Sequence, residues 1–145
     1  MTDAATAADR TVDPAVDPDS RALAAAGLAE AGRLLATARA VLAGEGTLPV
    51  RRRPRAAAVV ARAALELAVD ARLAEHGLHL RLATMRSRLI CLRAAVDADL
   101  GDVAALAWAG LSSGCHHHAY ELTPTWAEIA HLTDLVETVV ASARS

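Results

Sequence analysis

A chain of 145 residues is one domain's worth of polypeptide, long enough to bury about two-thirds of the surface its unfolded form exposes. Its 54% hydrophobic content comes mainly from Ala, Leu and Val, Phe is absent, and all 15 basic residues are Arg; good helix formers dominate and strand formers are few, which predicts an all-α fold. A formal charge of −2 excludes a dedicated polycationic nucleic-acid binder, and no apolar run approaches the roughly 20 residues of a membrane span.

The charge is uneven along the chain. Residues 1–20 carry five Asp and one Arg, net −4, which leaves +2 for the remainder. Residues 1–17 have no apolar periodicity and are broken by Asp13-Pro14 and Asp17-Pro18, so a disordered acidic N-terminal tail is expected there, with a helical bundle domain over 18–145. The Arg-for-Lys and Ala-rich bias resembles a high-G+C genome, so the number of arginines carries little functional information. The N-terminus lacks the apolar segment of a signal peptide, and Cys91 and Cys115 do not form a secreted disulfide pattern, so reduced thiols and a cytoplasmic location are expected.

Asp17 as N-cap and Pro18 at the first helical position open a helix whose apolar stripe runs to Gly44, predicting a first helix over about 18–43. After a short loop, Arg51-Arg52-Arg53-Pro54-Arg55 leads into a second helix that ends near His76 with Gly77 as its stop. Apolar residues cover most of its circumference, which marks a central helix, and its one polar stripe is Arg55, Arg62, Glu66 and Asp70. Thr84 caps a third helix with Met85, Leu89, Leu92 and Val96 inward and Arg81, Arg86, Arg88 and Arg93 outward. The turn Asp97–Gly101 ends it. Asp102 then caps a fourth helix over about 103–121, and the capping box Thr125-x-x-Glu128 opens a fifth that runs to about Ser142. Five helices with short connections predict an antiparallel bundle. Gly110 and Gly114 lie four apart on the fourth helix and invite close packing or a homodimer interface.

The chemistry-bearing residues concentrate in Trp108–Leu122, which holds two of the three aromatics, half of the six histidines and one of the two cysteines. Cys115 and His118 at i,i+3 offer two ligands of a metal site, where a structural zinc needs four and a catalytic one three with water. Ser113, His117 and Glu121 have the residue types of a hydrolytic triad, although a shared helical stripe makes them parallel rather than convergent. A single histidine as general acid–base is the least demanding alternative, because imidazole titrates near pH 6.5. Arg51, Arg52, Arg53 and Arg55 at a helix N-terminus form a candidate phosphate site, with a solvated charge run as the plainer reading. Trp108, Tyr120 and Trp126 are bulky core residues or a stacking surface for a base.

The pattern Ser113-x4-His118-x-Tyr120 resembles the Arg-x4-His-x-Tyr signature of the HEPN superfamily, and Ala61-Arg-Ala-Ala-Leu-Glu66-Leu-Ala is similar to the core helix of those domains. The resemblance covers about residues 20–142. It implies a small all-α bundle, often homodimeric, acting in many members as a cofactor-free, metal-independent ribonuclease of the toxin–antitoxin type. His118 would be the catalytic histidine. Tyr120 matches the tyrosine that a nucleotidyltransferase antitoxin modifies in some members, which makes such a protein and RNA or a nucleotide the implied partners. The pattern is degenerate at one position, since Ser113 stands where the family has Arg. No Arg lies between Arg93 and Arg144, so the phosphate clamp that a guanidinium supplies would come from another helix or another chain. A non-catalytic dimeric interaction module is the alternative that Ser113 favours.

Overall fold

The computed structural model describes residues 16–116 and 122–143, and they form a five-helix bundle. In chain order these are α1 (Pro18–Ala43), a single 3-10 turn (Val50–Arg52), α2 (Arg53–Ala74), α3 (Met85–Ala95), α4 (Ala98–Cys115) and α5 (Trp126–Ala141). Among the described residues no strand occurs, and no helix is long and apolar enough to cross a membrane.

The ends of α1 follow from its punctuation. The Asp17 carboxylate accepts the Ser20 N–H at 2.8 Å, and Gly44 closes the helix in the left-handed region at φ 91°, with its N–H on the Val41 carbonyl. Of the expected tail, residues 1–15 lie outside the described residues, while Val16 is buried and packs near Gly77. The second helix is central, as its apolar circumference predicts: it contacts α1, α3, α4 and α5, and Ala57, Ala61, Ala64, Leu65, Ala68 and Val69 are sealed from solvent. Small side chains bring the backbones close; a methyl placed on Gly27 of α1 would stand 3.2 Å from the Ala71 Cβ.

Three expectations are corrected around α4. Asp97, not Asp102, is its N-cap, accepting the Leu100 N–H at 2.7 Å; Asp102 lies within the helix and pairs with Arg93 at 2.7 Å. Gly101 is therefore helical rather than part of a turn, and its missing side chain lets α3 cross α4 there, since a Cβ would stand 2.5–2.8 Å from Arg93, its backbone included. The helix also ends at Cys115 instead of residue 121, with His116 extended at φ −80°, ψ 136°. Gly110, Ser112, Ser113 and Gly114 weaken helix propensity through its last two turns, and three histidines add no strong helix former beyond them.

Two further expectations change. Arg88 does not face outward: it turns onto the polar stripe of α2 and pairs with Asp70 at 2.8 Å, both side chains largely shielded. The Gly110/Gly114 face is filled by α5 of the same chain. Methyls there would meet the Leu132 side chain at 2.6 Å and Ile129 at 3.3 Å, so close packing within the chain accounts for both glycines.

The capping box of α5 forms as predicted, with the Thr125 Oγ1 accepting the Glu128 N–H and the Glu128 carboxylate accepting the Thr125 N–H at 2.7 Å. At the other end of α5, Arg72 of α2 donates to the Val139 and Val140 carbonyls at 3.0 and 2.7 Å. These contacts orient the bundle. One end gathers the C-termini of α1 and α4 with the N-termini of α2 and α5; the other gathers the α1 N-terminus with the C-termini of α2 and α5.

Candidate functional site

Ser113, Cys115, Trp126 and the Arg51–Arg55 run lie at the end where α2 and α5 begin, while Trp108 lies farther along α4, beside α3. The 3-10 turn and first turn of α2 place Arg51, Arg52 and Arg55 on one side, where with Leu48, Ala56, Val59 and Thr123 they line a groove of about 620 Å³. Arg53 does not join them. Its Nε donates to the Leu48 carbonyl at 3.1 Å and its guanidinium lies against Gly44, so it holds the α1–α2 loop rather than facing the groove. Three of the four arginines read as a phosphate site are thus brought together and the fourth is structural.

Cations at a helix N-terminus oppose the positive end of the macrodipole, by about 0.3–1 kcal/mol each near the surface. An anion in the groove would reverse that relation, because it would meet both the guanidinia and the dipole. Arg62 stacks over the Trp108 ring, 4.3 Å from its centroid, with its Nε 3.5 Å from the Glu66 carboxylate. Burial pushes the half-buried Cys115 thiol above its ordinary value of 9.0, against the opposing pull of the Arg62 charge and then of Arg55. The thiol is therefore protonated at neutral pH.

This electrostatics bears on the metal alternative. Cys115 lies in the field of two guanidinium groups, which disfavour a cation beside it. Among the described residues no three His, Cys, Asp or Glu side chains come together as a metal site would require. His118, the second proposed ligand, lies outside the described residues.

So do His117, Tyr120 and Glu121, and with them the hydrolytic-triad reading. Ser113 is exposed and lines a different recess, of about 550 Å³, with Gly110, Thr123, Pro124, His131 and Leu132. The structure therefore places the serine at the motif's arginine position apart from the arginine groove, with Thr123 as the wall common to both. Arg62 went unread as a site residue, although its seven-residue step from Arg55 puts both on one face of α2.

No protein-family model, curated protein sequence or solved structure matches the chain.

Proposed function

We propose that this chain is a HEPN-like protein directed at a phosphodiester of RNA or a nucleotide, with arginines of α2 serving where Ser113 cannot. One observation carries the reading: guanidinia flank both ends of the segment that contains His118. Before it, Cys115 lies in the field of Arg62 and Arg55; after it, Thr123 lines the groove of Arg51, Arg52 and Arg55. Arg55 is common to both.

In this reading Arg51, Arg52 and Arg55 hold the phosphate, His118 is the general acid–base, and Tyr120 orients or contacts the substrate. An imidazole titrating near neutrality takes the proton from the attacking hydroxyl and returns one to the leaving oxygen, which requires no metal. The purified protein should then cut RNA in the presence of EDTA, and His118→Ala should abolish cutting. Equal inertness of wild type and variant across RNA substrates would end the enzymatic reading.

The second reading is a non-catalytic module that pairs with a copy of itself or with a nucleotidyltransferase-like antitoxin. The position of Ser113, exposed in a recess separate from the arginines, favours it. The apolar surface this reading would use for self-association is the groove of about 480 Å³ between α3 and α4, lined by Leu89, Ile90 and Trp108. Sedimentation of wild type against Ile90→Asp tests this: a dimer that the variant splits supports it, and a monomeric wild type removes it.

A further inference from the structure

Trp126 is 57% exposed, yet its indole is not left to wander: the ring N–H donates to the Leu42 carbonyl at 3.2 Å, joining the first residue of α5 to the end of α1. The connection onward leads to the arginine groove. Gly44 and Leu48 of the following loop are held by Arg53, and Leu48 is a wall of the groove. From the other direction, Thr123, three residues before Trp126, is also a wall. A large, pinned, half-open aromatic thus shares one end of the bundle with three guanidinia.

We propose that this end holds a single-stranded nucleic acid, with its phosphates on Arg51, Arg52 and Arg55 and one unpaired base stacked on the Trp126 indole. The inference rests on the phosphodiester reading above and adds the residue that takes the base. A positive groove that tracks the backbone and an aromatic face for the bases are the two components such binding requires. The indole supplies a rigid face without an ordering cost on binding, because the Leu42 carbonyl has already fixed it. A duplex keeps its bases stacked inward and has none to offer, so the strand must be unpaired.

The test uses a labelled ten-nucleotide 2′-O-methyl RNA, which resists cleavage, titrated into the full chain in EDTA and followed by anisotropy. Tryptophan fluorescence is read in parallel in Trp108→Phe, where Trp126 is the remaining indole. The expected result is quenching on binding, at least tenfold weaker affinity in Trp126→Ala, affinity within threefold of wild type in Trp126→Phe, and much weaker binding of the same sequence as a duplex. Phenylalanine keeps the ring and loses the bond to Leu42, so it separates stacking from a merely structural cap. Should Trp108→Phe not fold, the wild-type anisotropy series with the two Trp126 variants decides alone. Binding with Trp126→Ala at wild-type affinity would overturn the stacking role and leave the phosphate groove standing. No binding by the wild type would overturn both.

Discussion

Where α2 and α5 finish, Arg72 is 5% exposed and each of its three guanidinium nitrogens donates, to Val139, Val140 and Glu75; where they begin, Arg51 and Arg52 lie open to solvent in a groove. The first end is knitted further by Ser20, whose hydroxyl donates to the Asp17 carboxylate at 2.7 Å and meets the His79 ring nitrogen at 3.1 Å. Arg72 supplies donors to carbonyls that the end of α5 would otherwise leave unsatisfied, so stability explains it. Stability does not explain Arg51 and Arg52, which oppose the dipole of the helix they open. The same residue type is a fastener at one end and is available to a ligand at the other.

The contrast predicts which substitutions unfold the chain. Arg72→Met should have the largest effect, about 3–5 kcal/mol, because it leaves the Glu75 carboxylate and the last α5 carbonyls shielded without their donor. Urea unfolding measures it, and a loss below 1 kcal/mol would mean that the clamp is dispensable. Gly101→Ala comes next at about 1–3 kcal/mol, since the added methyl meets the Arg93 backbone. Gly110→Ala should cost less, because it meets only the flexible end of Leu132. Equal losses at the two glycines would contradict the close crossing of α3 and α4.

Acid should act locally. The Glu128 carboxyl is held below its ordinary 4.5 by hydrogen bonds from the Thr125 backbone and side chain, and the Asp17 carboxyl below its ordinary 3.8 by the Ser20 side chain and backbone. A depressed carboxylate contributes stability that is fully present above its unfolded value and fades as the pH falls through the folded one. The hydrogen-exchange protection of the first turns of α5 and α1, taken relative to the intrinsic rate at each pH, should therefore fall below about pH 4 while the α2 core stays protected. Glu128→Gln, which leaves nothing to titrate at that position, should remove that dependence at α5, and an unchanged profile would sever it from the capping box.

Much of the architecture was legible because the chain punctuates itself. Asp17-Pro18 and Gly44 bound α1 where expected, and the Thr125/Glu128 pair marks α5. The start of α4 is ambiguous in the sequence because Asp97 and Asp102 are both eligible caps; in the structure Asp97 accepts the Leu100 N–H and Asp102 is turned to Arg93 on α3. Arg88 was placed outward because periodicity identifies a polar face without naming a partner, and Asp70 on α2 is that partner. At the candidate site the Arg51–Arg55 run showed in the sequence, whereas the turning away of Arg53 depends on where the Leu48 carbonyl comes to lie. The link from α2 to Cys115 depends on packing between helices more than 40 residues apart, which spacing alone does not report.

The most direct test of a ligand-binding end is the salt dependence of single-stranded RNA binding by Arg51→Ala/Arg52→Ala against wild type, with unfolding midpoints measured on the same samples. The account predicts an unchanged or slightly raised midpoint, weaker binding, and a log–log salt slope shallower by roughly 1.4, since each phosphate neutralised on a single strand contributes about 0.7. A double variant that binds with wild-type affinity and slope, or that unfolds as readily as Arg72→Met, would contradict it.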